Sequence, residues 1–313
     1  MDGILVIDKP HGPTSHDVVA MVRRLLGISK VGHTGTLDPA ATGVLPIVLG
    51  RATKLARYLS GGIKAYAAVF ELGITTRTLD AEGEVVERRP VPNDLDEARV
   101  RAILETLTGD LMQVPPMYSA KKVEGQRLYA LARKGVEIER EAKPVRVESM
   151  RLVEVALPRV AVEVRCSAGT YVRVLAEDFG KQVGCGAHLA ELRRLTAEPF
   201  QLTEAVPLAD LETDPSLAEQ HILPMARALV GLPRLQVPVH MSKLIRTGYQ
   251  LSVADIRSLD APVFVPDEAL ALAVDGGEVF AVVRAQLGSA DLPCSRRDRR
   301  AFKTERVLTL MAP

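Results

Sequence analysis

The sequence has no tryptophan, few other aromatic residues and no excess of charge of either sign. Aromatic residues make up 4% of the 313 residues, and 40 Lys and Arg against 39 Asp and Glu give a formal net charge of +1. Stacking of bases would therefore depend on a few tyrosines, and any basic surface for nucleic acid must be local. The apolar share of 47% and the charged share of 25% are ordinary for a globular protein, and the length allows two domains.

Cysteine is also scarce. Cys166, Cys185 and Cys294 are far apart and form neither a Cys-x-x-Cys zinc pattern nor an even disulfide framework. Isolated thiols are typical of a reducing cytosol. The N-terminus shows no basic segment followed by a long apolar stretch, and no apolar run approaches the length of a membrane span. We therefore expect a cytoplasmic protein that does not enter a membrane.

The sequence lacks the patterns that hold redox cofactors, nucleotides and metal ions. It contains no phosphate-binding Gly-rich loop and no dinucleotide fingerprint. His33, His188, His221 and His240 stand apart from Cys or carboxylate partners at metal-ligand spacing. We expect neither a cofactor nor a metal ion.

The most closely specified stretch is residues 31–39, Val-Gly-His-Thr-Gly-Thr-Leu-Asp-Pro. It places one carboxylate, Asp38, in a turn where Gly32 and Gly35 let the backbone bend and two threonines offer hydroxyls to hold the loop. The apolar residues 44–49 that follow could anchor this loop to a core. A braced loop of this kind suits a catalytic group. A purely structural turn, in which the Asp makes a local hydrogen bond, would have a similar composition.

Together with residues 41–46, Ala-Thr-Gly-Val-Leu-Pro, this stretch resembles the signature of the bacterial TruB family of tRNA pseudouridine-55 synthases. The family pattern is Gly-His-Thr-Gly, Leu-Asp-Pro and Ala-Thr-Gly-Val-Leu-Pro. The string Cys-Ser-Ala-Gly-Thr-Tyr-Val-Arg at 166–173 resembles the family's second signature, and the resemblance covers roughly residues 3–211. Ala40 and Ala168 depart from the pattern, since the family often has a larger apolar residue at the first position and Lys at the second.

The resemblance implies an α+β protein of two domains. Residues 1–233 would form the catalytic domain, with the pseudouridine-synthase fold: a mixed, mainly antiparallel central sheet flanked by helices. Residues 115–146 would form the thumb-like insertion that closes on the T-loop of tRNA. Residues 234–313 would form a small β-rich, PUA-like RNA-binding domain.

The resemblance also implies the activity and its residues. The protein would isomerise uridine to pseudouridine at position 55, in the T-loop of tRNA, with Asp38 as nucleophile on a flipped-out uridine. Arg173 would pair with Asp38 through a two-point contact. Tyr66, which counts as catalytic as well as substrate-binding, would form the uracil pocket with Tyr171 and Leu192, and His33 would take the place of the flipped base. Attack on the base and attack on the sugar carbon both stay open.

The implied partner is tRNA, held by its T-loop and T-stem, and the expected state is a monomer. Lys and Arg exceed Asp and Glu in residues 121–146, which fits contacts with phosphates. A solvated helical hairpin would show the same pattern. The basic run Arg296 to Arg300 could bind phosphate too, although a disordered surface loop would look alike.

Two other classes of protein share parts of this pattern. The string at 34–36, Thr-Gly-Thr, is similar to the aspartyl-phosphate loop Asp-Lys-Thr-Gly-Thr of phosphoryl-transfer ATPases. There the nucleophilic Asp precedes the loop, whereas here Gly32 has that position and Asp38 follows. The second alternative is a non-catalytic RNA-binding or tRNA-folding protein on the same scaffold. The presence of Asp38, Tyr66 and Arg173 together favours the enzyme.

Two local predictions bear on the architecture. Ser15 is expected to cap a helix that ends near Gly27. The chain from Leu235 onward is expected to form short strands, including Val263 to Val265 and Val307 to Leu310.

Overall fold

The structure is a computed structural model. It describes residues 1–119, 138–274 and 279–308, and the backbone of 122–123 and 126–127. These residues form two compact units. One contains Leu5–Val48 and Leu59–Ile222, and the other contains Met1–Ile4, Leu49–Tyr58 and the chain from Leu223 onward. Much of the expected thumb-like insertion, including Lys121, Arg133 and Lys134, lies outside the described residues.

The strands of the described residues are numbered in chain order. They are β1 (Gly3–Lys9), β2 (Val31–His33), β3 (Thr42–Leu49), β4 (Lys64–Leu72), β5 (Ile74–Thr76), β6 (Val85–Arg88), β7 (Gly109–Gln113), β8 (Lys122–Val123), β9 (Gln126–Arg127), β10 (Lys143–Ala156), β11 (Arg159–Cys166), β12 (Ala187–Ala197), β13 (Phe200–Gln201), β14 (Val206–Pro207), β15 (Arg234–Val237), β16 (Ala269–Val274), β17 (Val279–Ala285) and β18 (Phe302–Val307).

The α-helices of the described residues are α1 (Ser15–Leu26), α2 (Ala56–Leu59), α3 (Glu97–Thr106), α4 (Val172–Val183), α5 (Leu208–Thr213), α6 (Leu217–His221), α7 (Val239–Arg246) and α8 (Val253–Arg257). No described helix has the length and apolar character that a membrane crossing requires.

The larger sheet runs in the order β14-β1-β3-β12-β4-β11-β10-β7, with β2 beside β3 and β13 beside β12. The pairs formed by β4, β7, β10, β11 and β13 with their neighbours are antiparallel. The pairs β1–β14 and β3–β12 are parallel. The expected α+β class, with a mixed and mainly antiparallel sheet flanked by helices, is therefore confirmed.

The core of this unit lies between the sheet and helices α3 and α4. Strand β11 alternates buried and partly exposed residues, so that Val160, Val162 and Val164 face the core. Helix α4 adds Phe179, whose ring centroid lies 5.7 Å from that of Phe70 on β4. The apolar side chains of β4, β11 and α4 belong to one buried cluster. This packing fixes the N-terminal end of α4 against the sheet.

Helix α1 begins one residue earlier than the cap prediction. Thr14, not Ser15, is the N-cap, because its hydroxyl accepts a hydrogen bond from the Asp17 N–H in a capping box. Ser15 is buried, and its side chain points away from the helix end. Gly27 ends the helix in the left-handed conformation, as predicted.

The C-terminal part of the other unit contains a four-stranded sheet in the order β15-β16-β17-β18. Helices α7 and α8 pack on the same apolar cluster, and the sequence prediction missed both. The predicted strand at Val263 to Val265 is wrong. These residues alternate between exposed and buried, as in a strand, but the Phe264 N–H donates to the side-chain oxygen of Ser289 instead of a strand neighbour. The last strand also begins earlier than predicted, at Phe302, and Leu310 lies outside the described residues.

Candidate active site

The larger sheet brings four distant parts of the chain together. Asp38 lies in the loop between β2 and β3, and Arg194 on β12 is paired in register with Gly43 of β3. On the other edge of β12, Arg194 is paired with Tyr66 of β4. Arg173 is the second residue of α4. Strand pairing and helix packing therefore set the positions of these side chains, although Asp38 and Arg173 are 135 positions apart in the sequence.

These side chains surround a cavity of about 260 Å³. Typical ligand pockets have volumes from about 300 Å³ upward, so this cavity lies just below that range. Its volume suits one flat ring system. The three predicted pocket residues, Tyr66, Tyr171 and Leu192, line it together with Asp38 and Arg173. The cavity residues also include Lys64, Ser119, Arg194 and the segment 167–170.

An ion-pair network joins Asp38 to a second carboxylate through Arg173. Arg173 Nη2 lies 3.1 Å from Asp38 Oδ2, and Arg173 Nη1 lies 3.0 Å from Asp80 Oδ2. The guanidinium also donates to the carbonyls of Thr78 at 3.1 Å and Tyr118 at 2.8 Å. Arg173 thus contacts Asp38 at one oxygen only, and the predicted two-point contact on Asp38 is wrong. The two Nη atoms of the Arg173 guanidinium contact different carboxylates, those of Asp38 and Asp80.

The three charged side chains differ in access to the cavity. The side chains of Arg173 and Asp80 are 7% and 13% exposed, whereas that of Asp38 is 44% exposed. A cation at a helix N-terminus is disfavoured by the helix dipole. The buried position of Arg173 is therefore explained by its carboxylate and carbonyl partners and not by the helix. Asp38 is the member of the network that a bound molecule can reach.

The protein around Asp38 removes part of the hydration of its carboxyl group, although the side chain stays partly exposed to the cavity. Burial raises the pKa of Asp38 above its ordinary value, and the Arg173 charge opposes this shift. The Asp80 carboxylate raises the Asp38 pKa further, while the Lys9 ammonium lowers it. A poorly hydrated carboxylate is a stronger base and nucleophile than one in water.

Buried side chains from three other elements hold the Asp38 loop in place. The Ser15 hydroxyl of α1 donates to the Leu37 carbonyl at 2.9 Å and accepts from the Leu37 N–H at 2.8 Å. Lys9 Nζ donates to the carbonyls of Pro39 at 3.0 Å and Ala41 at 2.7 Å. Within the described residues, the two loop threonines make no side-chain hydrogen bond. The hydroxyl that holds the loop belongs to Ser15 instead.

Arg194 holds the preceding part of the same loop. Its Nη2 donates to the Gly35 carbonyl at 3.1 Å, and its Nε donates to the Val44 carbonyl at 2.7 Å. Gly43 must be glycine here, since its φ is 98° and an added Cβ would lie 2.2 Å from the Arg194 carbonyl oxygen. Neither Gly32 nor Gly35 has a positive φ. The backbone requirement expected at those glycines is found at Gly43 instead.

The two pocket tyrosines are held in different ways. The Tyr171 backbone is fixed by Gln113, whose Oε1 accepts from the Tyr171 N–H at 2.9 Å and whose Nε2 donates to the Tyr171 carbonyl at 3.3 Å. Tyr66 is half-buried on β4, and burial raises the pKa of its phenol while the Arg194 charge opposes this. Tyr66 therefore stays protonated at neutral pH and can donate a hydrogen bond.

His33 lies apart from the cavity. Its ring packs edge-to-face on His16, with centroids 5.2 Å apart, and it is not among the residues that line the cavity. Its Nδ1 is buried without a hydrogen-bond partner. Burial and the nearby charges of His16 and Arg194 lower the pKa of His33, so the ring is neutral at pH 7.

Sequence reasoning missed the supporting residues of this site. Asp80 and Lys9 both lie within residues 3–211, where the chain resembles the family, but neither had been given a role. Lys9 and Arg194 are among the largest fully buried side chains, which charge and hydropathy patterns do not predict. Within the described residues, no group of three His, Cys, Asp or Glu side chains could hold a metal ion.

Two protein families match consecutive parts of the chain. The family described as "TruB family pseudouridylate synthase (N terminal domain)" matches residues 23–172. The family described as "tRNA pseudouridylate synthase B C-terminal domain" matches residues 173–230. The junction between the two matches falls next to Arg173, so both contribute to the cavity.

Curated relatives are similar over nearly the whole chain. The chain is 40% identical to tRNA pseudouridine synthase B of Syntrophus aciditrophicus, with 98% of both chains covered. It is 47% identical to tRNA pseudouridine synthase B of Aromatoleum aromaticum over 80% of this chain and 82% of that protein.

Solved structures are similar in fold. One is entitled "Crystal Structure of a Cbf5-Nop10-Gar1 Complex", with a TM-score of 0.78, 26% identity, and coverage of 98% of this chain and 85% of that one. Another is an H/ACA RNP bound to a substrate RNA containing 2'-deoxyuridine, with a TM-score of 0.75, 25% identity and the same coverage.

Proposed function

The chain belongs to the TruB family of pseudouridylate synthases and isomerises uridine to pseudouridine in tRNA; we propose that it does so at position 55, in the T-loop, with Asp38 as the nucleophile. The observation that carries this proposal is the Asp38–Arg173 pair at a cavity sized for one base. The target uridine must leave the RNA stack to reach that cavity.

The contact geometry suits Asp38 for this role. Arg173 binds Oδ2 of Asp38, while Oδ1 has no hydrogen bond to any described residue and is free to approach substrate. Arg173 keeps the carboxylate charged and oriented, and Asp80 keeps Arg173 in place. No redox step or energy input is needed, because the reaction moves the sugar from N1 to C5 of the same base.

The other predicted pocket residues act on the base. Tyr66 and Tyr171 offer aromatic faces for stacking, and the Tyr66 phenol can donate a hydrogen bond to a uracil oxygen. Leu192 supplies an apolar wall, which excludes water and strengthens the electrostatic interactions inside. His33, half-buried beside the Asp38 loop, would take the place that the flipped base leaves in the RNA.

A direct assay separates this proposal from that of a non-catalytic RNA-binding protein. Purified protein is incubated with an unmodified tRNA transcript and with an isolated T-stem-loop, and pseudouridine is measured in each. Both substrates should be converted with multiple turnovers. Binding of both RNAs without any pseudouridine would support the non-catalytic alternative.

Asp80→Asn should change the pH dependence of the reaction as well as its rate. Because the Asp80 charge raises the Asp38 pKa, its removal should move the acidic limb of the single-turnover rate to lower pH. The loss of a charged hydrogen bond to Arg173 should lower the rate at pH 7 about 10- to 100-fold, on a scale of about 1.5–3 kcal/mol.

Glu163→Gln is the matched control for Asp80→Asn, because it removes an exposed carboxylate from an arginine partner, Arg151, on the outer surface. It should change neither the rate nor the pH profile. If Asp80→Asn leaves the acidic limb where it is in the wild type, Asp80 does not act on Asp38.

We propose that residues 1–233 form the catalytic domain and that residues 234–313 form the PUA-like RNA-binding domain. Within the catalytic domain, the thumb-like insertion at 115–146 would contact the T-loop and T-stem. The basic run Arg296 to Arg300 is exposed and could hold tRNA outside the T-loop. The protein would act as a cytoplasmic monomer.

Replacing Arg297, Arg299 and Arg300 by Gln should weaken the binding of full-length tRNA. Each lost phosphate contact lowers the slope of log affinity against log salt by about 0.7 to 0.9. Affinity for the isolated T-stem-loop should stay unchanged, and so should the single-turnover rate at saturation. Equal losses for both RNAs in a salt series would show that the run does not make a separate contact.

A further inference from the structure

Two buried cations of the cavity have no carboxylate to balance their charge. Arg194 and Lys64 both line the cavity and are 1% and 7% exposed. Lys64 Nζ donates to main-chain carbonyls, including that of Ser60 at 3.0 Å, and Arg194 likewise donates to carbonyls. Neither forms an ion pair with a carboxylate of the described residues. The third cation of the cavity, Arg173, has two such partners.

This arrangement is costly for the folded protein. Burial of an unpaired charge destabilises the folded state, and a second like charge nearby adds to that cost. Burial lowers the pKa of Lys64 to about 8, and the Arg194 charge contributes to that shift. Burial also lowers the pKa of Arg194. The structure thus maintains excess positive charge in the cavity, which an anionic ligand or transition state would neutralise.

The reaction places negative charge on the base in either route open to Asp38. If Asp38 attacks C1′ of the sugar, the N1–C1′ bond breaks and its electron pair leaves with uracil. If Asp38 attacks C6 of the base, the C5–C6 pair moves towards the C4 carbonyl oxygen. In both routes the N1–C1′ bond breaks, C5 bonds to C1′, a proton moves from C5 to N1, and the bond from Asp38 to C1′ or C6 breaks to release the carboxylate.

We propose that Arg194 and Lys64 stabilise the negative charge that the uracil carries in the transition state, with Arg194 acting on the base through the Tyr66 phenol. Tyr66 is the register partner of Arg194 across β4 and β12, and both line the cavity. A guanidinium beside a phenol polarises its O–H towards an acceptor, as preorganised donors do at a developing oxyanion. The inference rests on the proposed function of the Asp38 cavity.

A phosphate of the RNA backbone is the other anion that such cations could bind. The depth of Arg194 argues against it, since a residue with 1% exposure at a cavity of about 260 Å³ is reached by a base and not by a solvated phosphate at the mouth. The two possibilities predict different measurements. Phosphate binding would appear in the affinity and its salt dependence, whereas charge stabilisation would appear in the rate.

The test uses Arg194→Met and Lys64→Met, which remove the charge and keep much of the side-chain length. With saturating enzyme and a T-stem-loop, the single-turnover rate of Arg194→Met should fall about 10²- to 10³-fold, the scale for loss of one such donor. The single-turnover rate of Lys64→Met should fall at least tenfold, and that of Lys64→Arg should be close to the wild-type rate. The RNA dissociation constant and its salt slope should stay within twofold of the wild type.

A pH series adds a measurement that a structural role would not change. Lys64 faces the charge of Arg194 and, more weakly, Cys166 and Glu198. Its deprotonation near pH 8 should lower the wild-type rate on the alkaline side, and Lys64→Met should lack this limb. Burial also lowers the pKa of Lys9 to about 8, so Lys9→Met must keep the limb if Lys64 causes it.

Lys9→Met is also the matched control for loop support. Lys9 holds the Asp38 loop through Pro39 and Ala41 but is not among the cavity residues. The Lys9→Met substitution should lower the melting temperature, and its loss of single-turnover rate should be far smaller than that of Arg194→Met.

Four results would overturn the proposal. Two concern the rate: equal losses in Lys9→Met and Arg194→Met, or a wild-type rate in Lys64→Met. The third is an alkaline limb that Lys64→Met retains, and the fourth is a weaker RNA affinity with a smaller salt slope at an unchanged rate. If Arg194→Met does not fold, the Lys64 variants decide. Absence of pseudouridine with the wild type would contradict the proposed function instead.

Discussion

Asp38→Asn should abolish pseudouridine formation while tRNA still binds. Asn keeps the shape of the side chain but has neither the charge nor the nucleophilic oxygen of the carboxylate. We expect a single-turnover rate at least 10⁴-fold below that of the wild type, in line with about 10⁴- to 10⁶-fold losses when a nucleophile is removed. The dissociation constant for tRNA should change little, because the cavity and the surrounding surface keep their shape.

The same substitution should leave the protein equally or more stable. The Asp38 pKa is raised in the folded state, so the ionised carboxylate costs folding free energy. That cost is absent below the ordinary Asp pKa and grows as the pH rises through the raised one. Asn resembles the uncharged carboxyl and avoids the cost, and Arg173 retains Asp80 as a partner. A lower melting temperature together with the lost activity would indicate that Asp38 acts as a structural residue.

Arg173→Lys should also lower the rate strongly. An ammonium is a point charge and cannot reach Asp38, Asp80 and the carbonyls of Thr78 and Tyr118 at once. Loss of the charged hydrogen bond to Asp80, at about 1.5–3 kcal/mol, together with a displaced ion pair to Asp38, should lower the single-turnover rate about 100-fold or more. Affinity for tRNA should fall much less, because Arg173 is buried behind Asp38.

The chain offers a matched control for that change. Arg159 also divides its guanidinium between two carboxylates, with Nη2 3.2 Å from Glu71 and Nη1 3.2 Å from Glu191, but on the exposed surface. Arg159→Lys loses the same kind of planar contact and should leave the rate unchanged. If Arg173→Lys matches the wild type in a single-turnover experiment with folded protein, Arg173 does not orient the catalytic carboxylate.

The sequence could predict the parts of the site that local patterns specify. The string around Asp38 and the second signature with Arg173 were sufficient for the family, and the resemblance implied the fold class and the pairing of Asp38 with Arg173. Tyr66, Tyr171 and Leu192 were placed by the family resemblance, and the structure brings them to one cavity. Their roles in the reaction are still predictions.

The supporting contacts could not be predicted, for physical reasons. A hydropathy pattern places Lys and Arg at the surface, yet Lys9 and Arg194 are buried because the loop carbonyls satisfy their donors. Asp80 and Asp38 both contact Arg173 only because the polar segment after β5 lies against the N-terminal end of α4. This is a tertiary contact that no local sequence pattern indicates. In the same way, Thr14 takes the cap that was predicted for Ser15, because Ser15 is needed at Leu37.

A crystal structure of Asp38→Asn with a T-stem-loop RNA would test the central claim most directly. The inactive variant should hold unreacted substrate. We predict that the uridine at position 55 is flipped into the cavity, stacked on Tyr66, with C1′ or C6 about 3–3.5 Å from the side chain at position 38, the separation of a near-attack conformation. A uridine that stays in the RNA stack, or that lies outside the cavity of Asp38, Tyr66 and Arg173, would contradict the account.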